Sequence, residues 1–386
     1  MKVYCDLHIH SCFSIATSRK MTPDALIGAC KEKGISVLGS GDALHSGWRS
    51  CWENFSPDDA VLVIPTAEVE DSDRVHHLVL METFQGFEAL EALLAPHSKD
   101  ISTNGRPRVR LGGEDIAGMV HGCSGLIGPA HAFTPWTSLY ASFHSFSGCY
   151  GEERPDFLEL GLSADSSYAS AIPELAGIPF LSNSDAHSPD PLRIGREFFA
   201  IDPAELTPGS VLEEIGRGRI LMNAGFFPEE GKYNRTACVR CYRQFTLEEA
   251  LAHRWKCPDD GGRIKKGVAD RARELSSGRS GDRPPYLHLL PLAQIVQVLE
   301  GASSPGIRRV QERYHRLIQR FGNEIAILVD IAPGQIARYD PEVARAIQAL
   351  REGDVVLHPG GGGKYGSFSF RDGVKSGHTG DPRTSQ

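Results

Sequence analysis

The chain has 386 residues, of which 40% are apolar and 23% are charged, proportions that are ordinary for a globular protein. No run approaches the ~20 apolar residues that cross a bilayer, which excludes an integral membrane protein, and the N-terminus becomes polar too early for a secretory signal. The sequence therefore predicts a cytoplasmic protein. Its formal net charge of -8 argues, by itself, against a protein that binds nucleic acid.

Short β-rich runs alternate with helical stretches over the first ~225 residues, an alternation that favours a parallel sheet or barrel of the α/β class. The first helix is well marked, because Thr22 can cap its start, Pro23 suits its first turn and Gly34 can end it. The predicted strands are Lys2–Cys5, Ile35–Ser40, Val61–Ala67, His77–Met81, Gly125–Pro129, Phe157–Leu160, Pro179–Ser182 and Glu197–Ile201. We predict that this first domain occupies residues 1–228.

The pair His8 and His10, directly after the first predicted strand, is the strongest functional signal. Alternate residues of a strand face the same side, so both imidazoles project together and can bind a divalent metal. Similar side chains stand near later predicted strands, and the C-terminal strand ends of a β/α barrel converge on one face. These residues are Asp42, His45, Glu68, His76, His77, His131, Asp185 and His187. Polar strand-end caps would explain one or two such sites but not six in succession.

The ligand types indicate the chemistry. Carboxylates and imidazoles without thiolates suit Zn, Mn or Fe. A carboxylate such as Glu68 can bridge two metals ~3.5–4 Å apart, and paired metals activate a water molecule and neutralise charge on a phosphoryl group. The set therefore favours hydrolysis of a phosphoester over hydrolysis of an amide or a deamination.

These motifs resemble those of the PHP (polymerase and histidinol phosphatase) superfamily. The matching segments are Asp6-Leu7-His8-Ile9-His10-Ser11, Glu68, His77, Pro129-Ala130-His131 and Ser184-Asp185-Ala186-His187. The resemblance implies a distorted (β/α)7 barrel with two or three divalent metals (Zn, Mn or Mg). It assigns His8, His10, Glu68 and Asp185 to the first metal, Glu68, His77 and His131 to the second, and His187 to the third. It also implies that Asp185, Glu68 and His131 are catalytic.

The second motif departs from the superfamily's usual Thr-Asp-His, because Gly41-Asp42-Ala43-Leu44-His45 stands in its place. Either Asp42 or the displaced His45 is predicted to serve the third metal. Of the two neighbouring histidines, His77 matches the ligand position better, and His76 is predicted to point to the opposite face.

Residues 232–280 contain a second cluster of ligand residues. Cys238 and Cys241 form a CxxC knuckle, and Cys257 follows sixteen residues later, a spacing that favours a structural zinc site. Three thiolates need a fourth ligand. The spacing of a four-cysteine ribbon assigns this position to Asp260. Histidine is the commoner zinc ligand, which favours His253. Both alternatives stay open.

The same segment is basic, because Gly231–Arg283 holds 13 Lys and Arg against 7 Asp and Glu, a net charge of +6. A zinc-stabilised module can present such charge to a phosphate backbone. The predicted DNA contacts are Arg240, Arg243, Lys256, Lys265, Lys266 and, further along the chain, Lys364. A charged run is usually a solvated face, so this prediction depends on its combination with a phosphoesterase-like barrel.

Residues 284–372 are predicted to form a small α/β domain that binds DNA. It contains two helical stretches within 291–322, a predicted strand at Ile325–Asp330 and a helix at Pro341–Leu350. The run Gly360–Gly366 resembles a phosphate-binding loop but not a Walker A motif, and its alternative is a flexible turn. The tail, residues 373–386, is predicted to be disordered because its last dozen residues have no apolar side chain to bury.

The order of motifs along the chain resembles that of the endonuclease Q family. The resemblance rests on the barrel motifs, the loop NGRPRV, the finger ending in CPDDGGRIKKGVADRARELS and the segment PPYLHLLPLAQIV. That family cuts DNA 5′ to deaminated bases such as uracil, hypoxanthine and xanthine, and at abasic sites. The resemblance implies a DNA repair endonuclease that uses metal-activated water on damaged double- or single-stranded DNA, with a replication or repair factor as a further partner. Relatives tend to have a fourth cysteine where Asp260 stands.

Two other functions fit parts of the sequence. A small-molecule phosphoesterase of the histidinol-phosphatase type would need only the barrel and would leave the basic finger unexplained. A non-catalytic, zinc-dependent nucleic-acid-binding protein with a degenerate barrel conflicts with the nearly complete set of ligands.

Overall fold

The computed structural model describes residues 1–55 and 60–371 and has a mixed α/β fold, as predicted. The predicted disordered tail, residues 373–386, lies outside the described residues. The chain divides into two compact units. The first contains Met1–Gly161, Ala169–Ala224 and Ser276–Tyr286, and the second contains Leu162–Tyr168, Gly225–Leu275 and the chain from Leu287 onward. The predicted boundaries of a three-domain chain stay predictions. None of the described helices is long and apolar enough to span a membrane.

The strands are short. In chain order they are β1 (Val3–Asp6), β2 (Val37–Gly39), β3 (Leu62–Ile64), β4 (Thr66–Glu70), β5 (His76–Leu80), β6 (Leu126–Pro129), β7 (Leu158–Glu159), β8 (Phe180–Leu181), β9 (Phe198–Ile201), β10 (Met222–Gly225), β11 (Ala237–Cys238), β12 (Ile264–Lys265), β13 (Tyr286–His288), β14 (Val355–His358) and β15 (Ser367–Phe370).

The α-helices are more varied in length. In chain order they are α1 (Pro23–Lys33), α2 (Ser46–Glu53), α3 (Phe84–Leu94), α4 (Gly113–Gly122), α5 (Leu139–Ser142), α6 (Phe146–Tyr150), α7 (Ser166–Ala169), α8 (Pro208–Gly216), α9 (Leu247–Ala252), α10 (Val268–Leu275), α11 (Leu292–Glu300), α12 (Arg308–Phe321), α13 (Pro333–Ala337) and α14 (Pro341–Glu352).

The main sheet of the first unit runs in the order β10-β9-β1-β2-β3. Strands β1, β2 and β3 are parallel to one another, and α1 makes the crossover between the first two. This helix is capped as predicted: Thr22 accepts a hydrogen bond from the Ala25 amide, and Gly34 ends it in the left-handed conformation at φ 96°. Strand β9 runs antiparallel to β1.

A second sheet, β4-β5-β6, is antiparallel throughout, so the expectation of a parallel arrangement is wrong here. For β4 and β5 the physical reason is their short connection, since a parallel pair needs a crossover of a dozen or more residues. Strands β7 and β8 form a parallel pair. Each of the eight predicted strand regions contains a strand, whereas the closed seven-stranded barrel stays a prediction.

The alternation of β1 separates the core from the functional face. Val3, Cys5 and Leu7 belong to one apolar cluster that also contains residues of β2, β3, β5, β8 and β9. His8 and His10 follow in the same extended segment, where Ile9 pairs in parallel with Ala186. Because side chains alternate, the two imidazoles face away from the side that Leu7 buries.

The second unit contains the cysteine segment around the β11–β12 pair. Its local core consists of Cys238, Phe245, Ala250, Cys257 and Ile264, with Trp255 packed against them. A core of this size stabilises a chain weakly, so a metal that ties the segment together is physically reasonable.

The predicted strand at Ile325–Asp330 is wrong, because Ala326–Asp330 forms a single π-helical turn. The apolar, β-branched run resembles a strand in sequence, but tertiary contacts satisfy its backbone differently. Arg351 of α14 donates hydrogen bonds to the carbonyls of Ile327, Leu328 and Ile331.

Candidate active site

The first group of ligand-type side chains consists of His8, His10 and Asp185. Oδ1 of Asp185 lies 3.8 Å from Nε2 of His8 and 3.2 Å from Nε2 of His10. The pairing of Ile9 with Ala186 brings these two chain segments together, as does the hydrogen bond from the His10 amide to the Ala186 carbonyl. Residues 175 positions apart therefore meet at one point.

The second group consists of Glu68, His76 and His131. Oε1 of Glu68 lies 2.7 Å from Nδ1 of His76 and 2.9 Å from Nε2 of His131. Glu68 also reaches the first group, because its oxygens lie 3.7 Å from Nε2 of His8 and 3.4 Å from Nε2 of His10. A single buried carboxylate thus joins both groups, as expected of a bridging ligand.

The predicted choice between the two neighbouring histidines is wrong. His76, not His77, faces Glu68, because the β4–β5 register pairs Glu70 with His76 and turns His77 toward the opposite side. His77 is buried there, with Nε2 3.0 Å from Asp71 and Nδ1 2.8 Å from the Tyr150 hydroxyl.

Asp42 and Glu159 lie behind the first group. The imidazole Nδ1 of His10 lies 3.0 Å from Oδ1 of Asp42, and that of His8 lies 2.9 Å from Oε2 of Glu159. Carboxylates in these positions fix the ring orientation and leave Nε2 directed into the site. Asp42 is therefore outside both groups and does not match its predicted place as a direct ligand. Glu159 is not among the predicted site residues, although it lies within the predicted strand Phe157–Leu160.

The other two histidines predicted for the third metal differ in position. His187 lies beside the first group, with its ring centroid 4.5 Å from that of His10. His45 belongs to neither group: its ring accepts a hydrogen bond from the Trp48 amide at the start of α2 and stacks on Phe13 at 4.1 Å. The inserted residues of the second motif place His45 at a helix cap, which explains its displacement.

The charges of the site favour a bound cation. Burial by itself would lower the pKa of His8, but Glu159, Glu68 and Asp185 raise it to about 10. Burial would likewise raise the pKa of Glu68, yet His76, His131 and His8 hold it well below its usual range. The lowered pKa keeps Glu68 ionised, and the field that attracts protons to the imidazoles would also attract a metal ion.

Unsatisfied polar atoms show that these residues fit divalent metals. Within the described ranges, Nε2 of His8, Nε2 of His10 and Oδ1 of Asp185 are buried and make no hydrogen bond. Buried polar atoms are normally paired, so three such atoms converging in the first group suit a bound divalent ion. Asp42, His131 and Asp185 also have left-handed backbones, with φ of 47°, 33° and 48°, and strain of this kind concentrates at functional sites.

The guanidinium of Arg106 also lies in this site. Nη1 of Arg106 lies 3.1 Å from Oε2 of Glu68. The loop NGRPRV was assigned no site residue from the sequence, since nothing in its local pattern indicates which side chain turns inward.

In the second unit, Cys238, Cys241, Cys257 and Asp260 form a further group. Sγ of Cys238 lies 3.4 Å from Oδ1 of Asp260, and the other two sulfurs lie 3.6 Å apart. Asp260 therefore stands in the fourth position, whereas His253 lies at the end of α9 outside this group. Three thiols and a carboxylate converging on one point suit zinc.

The predicted DNA contacts differ in their availability. Arg240, Lys256 and Lys364 are exposed. Arg243 pairs with Asp259 at 2.8 Å, and Lys266 pairs with Glu274 at 2.6 Å. Lys265 is half-buried, and burial together with Arg263 lowers its pKa.

The glycine run does not present a phosphate-binding loop, so that interpretation is wrong. The amides of Gly360, Gly363 and Gly366 donate to the carbonyls of Glu229, Lys232 and Glu230, and the amides of Gly361 and Lys364 each donate to the carbonyl of the other residue. The run instead packs closely on the chain before the cysteine segment. A side chain at Gly360 would meet the Gly231 carbonyl at 2.6 Å, which explains the need for glycine.

Comparison with solved structures decides the family. A lesion-specific endonuclease from Pyrococcus furiosus, PfuEndoQ, is 43% identical with a TM-score of 0.93, over 97% of this chain and 96% of that one. Endonuclease Q in complex with a 27-mer duplex carrying an abasic lesion is 42% identical with a TM-score of 0.90, over the full length of both chains. The chain belongs to the endonuclease Q family. The predicted resemblance is thereby confirmed, as is the predicted class of enzyme, a DNA endonuclease.

A protein of Methanocaldococcus jannaschii and a family model named after it also match this sequence. The uncharacterized protein MJ0043 of Methanocaldococcus jannaschii is 43% identical over 266 residues, which are 66% of this chain. The match spans only 32% of the length of that relative. A family model described as the MJ0043 C-terminal domain matches residues 291–354, from α11 to the end of α14.

Proposed function

We propose that this member of the endonuclease Q family hydrolyses the phosphodiester 5′ to a deaminated base (uracil, hypoxanthine or xanthine) or to an abasic site. The observation that carries the proposal is the pair of buried ligand groups joined by Glu68. A relative that is 42% identical along the whole chain was solved with an abasic lesion at its active site, which supports the choice of substrate.

In this proposal the first unit is a distorted (β/α)7 barrel whose metals are Zn, Mn or Mg. His8, His10 and Asp185 hold one metal, Glu68, His76 and His131 hold the second, and His187 helps with a third. Divalent ions in such a site supply a nucleophile from water at neutral pH and neutralise charge on a phosphoryl group. Glu159 and Asp42 orient the imidazoles of His8 and His10. Glu68 lies between the two groups and holds them at a fixed distance from each other.

The second unit supplies DNA binding. A structural zinc held by Cys238, Cys241, Cys257 and Asp260 stabilises the finger, and Arg240, Lys256 and Lys364 contact phosphates. Arg243, Lys265 and Lys266 contribute only if their present partners are exchanged for DNA. The damaged nucleotide is turned out of the stack toward the metal groups. A docked replication or repair factor and a cytoplasmic location stay predictions.

The test uses purified protein with Mg²⁺, Mn²⁺ or Zn²⁺ and end-labelled duplexes that carry a single uracil, hypoxanthine, xanthine or abasic site. We expect a nick on the 5′ side of the lesion and no nick in the undamaged duplex. Hydrolysis of sugar or amino-alcohol phosphates without nicking would favour the small-molecule phosphoesterase. Binding without any hydrolysis would favour the non-catalytic protein.

The matched variant is Asp185→Asn, which removes one charge from the first group at constant size. We expect it to abolish nicking and to leave the affinity for the lesion duplex nearly unchanged, since the predicted phosphate contacts lie in the second unit. Retained nicking would contradict the role proposed for Asp185.

A further inference from the structure

The loop of residues 97–113 inserts a positive charge into the candidate active site. Nη1 of Arg106 lies 3.1 Å from Oε2 of Glu68, and the side chain keeps 30% of its surface exposed. It is therefore neither fully buried as a structural ion pair nor free in solvent. Its guanidinium lies at the carboxylate that joins the two ligand groups.

Backbone contacts hold the loop on both sides of Arg106. The Gly105 amide donates to the Phe13 carbonyl at 3.2 Å, and beyond Arg106 the Glu70 amide donates to Pro107 and the Val109 amide to Glu70. Gly105 packs so closely that an added Cβ would lie 2.6 Å from Oγ of Ser14. The backbone that carries Arg106 is thus held in place on both sides, within reach of Glu68.

The charges define what Arg106 is suited to bind. Glu68 and Asp185 attract the guanidinium in the protein alone. Once divalent cations occupy the ligand groups, a fixed positive charge beside them is unfavourable unless an anion is also present. A guanidinium binds phosphate oxygens through parallel, charge-assisted hydrogen bonds, and the phosphodiester of the substrate is such an anion.

We propose that Arg106 is a catalytic residue that contacts the scissile phosphate and stabilises the negative charge that develops there. This inference rests on the proposed function. In the absence of DNA, Glu68 takes the place of the phosphate as the partner of Arg106. The loop then contributes a charge that becomes available to the substrate when metals engage Glu68.

The first test compares single-turnover nicking of an abasic duplex by the wild type, Arg106→Gln and Arg106→Lys. Loss of one charged group aimed at a developing charge costs on the order of 10²–10³-fold in rate, so we expect a loss of that size for Arg106→Gln. Arg106→Lys should recover part of it. The control is Arg110→Gln, an exposed residue of the same loop, which should stay close to the wild-type rate.

The second test does not depend on turnover. Fluorescence anisotropy with protein loaded with Ca²⁺, under conditions in which no nicking is detected, compares abasic duplexes in which the scissile linkage is either a phosphodiester or a neutral methylphosphonate. The wild type should bind the methylphosphonate duplex several-fold more weakly, whereas Arg106→Gln should bind both equally. The metal content of Arg106→Gln after reconstitution should equal that of the wild type.

The outcomes separate this inference from the proposed function. If Arg106→Gln loses metal but still distinguishes the two linkages, Arg106 supports Glu68 instead of the phosphate and the inference is wrong. A wild type that nicks while Arg106→Gln nicks equally well also overturns it and leaves the proposed function intact. If the wild type leaves every lesion duplex uncut, both the proposed function and the inference on Arg106 are wrong.

Discussion

His76 and Glu68 lie on the same face of the β4–β5 hairpin, and Nδ1 of His76 is 2.7 Å from Oε1 of Glu68. The register decides this, because Glu70 pairs with His76 and alternate residues share a face. The neighbouring His77 is buried on the other side of the same strand. Two adjacent histidines of one strand therefore lie in different groups of ligand-type side chains, His76 with Glu68 and His131, and His77 with Asp71 and Cys149.

This difference can be measured with His76→Asn and His77→Asn. We expect His76→Asn to lose metal and nicking activity, and the metal content is the measurement that distinguishes it from His77→Asn. His77→Asn should retain its metal, but its buried partners Asp71 and Tyr150 lose a hydrogen bond, which costs about 1–3 kcal/mol each. Metal analysis and urea unfolding of the chelated proteins provide the two measurements. Loss of metal from His77→Asn alone would contradict the assignment.

A methyl group at position 105 should disturb the site without changing any charged residue. The added Cβ of Gly105→Ala would collide with the Asp42 carboxylate and lie 2.6 Å from Oγ of Ser14. The loop that carries Arg106 must then shift, and a displacement of about 1 Å can cost ~10²-fold in rate. We expect nicking to fall by about that factor at unchanged secondary structure. The control is Gly112→Ala, because nothing lies within 4 Å of its added Cβ.

The fourth zinc ligand can be tested by exchange of residue types. Asp260→Ala should release zinc to a chelating dye faster than the wild type and lower the melting temperature. Asp260→Cys should slow the release, since a fourth thiolate suits zinc better than a carboxylate beside three sulfurs. His253→Ala should resemble the wild type because His253 lies outside the group. Equal loss of zinc from His253→Ala and Asp260→Ala would refute the assignment to Asp260.

Asp165 should make the stability of the second unit depend on pH in the acid range. Burial alone would raise the pKa of Asp165, but hydrogen bonds from His288 and Ser167 lower it below its ordinary value of 3.8. A carboxyl group whose pKa is lower in the folded state stabilises the fold above its unfolded-state value, and this contribution is lost as the pH falls through the folded value.

We therefore expect the free energy of unfolding to fall between about pH 5 and pH 2, and to fall less in Asp165→Asn. Denaturant unfolding at a series of pH values gives both curves. Asp282→Asn, the same change at an exposed carboxylate, serves as the control. Identical slopes for the wild type and Asp165→Asn would contradict the expectation.

The sequence by itself determined the features that depend on local spacing. The two-residue period of a strand predicted that His8 and His10 share a face, and the caps of α1 were readable from Thr22 and Gly34. The three cysteines of the finger lie within twenty residues of one another, so their spacing alone predicted that they converge. These features need no knowledge of how distant segments meet.

Only the tertiary structure decided the relationships that depend on register and on long-range contact. The β4–β5 register selected His76 over His77, and the approach of distant segments brought Glu159 to His8 and Arg106 to Glu68. In the tertiary structure, five amides of the run Gly360–Gly366 also donate to backbone carbonyls. A one-residue change of register reverses every side chain of a strand, and neither that choice nor the inward residue of a loop is encoded in local periodicity.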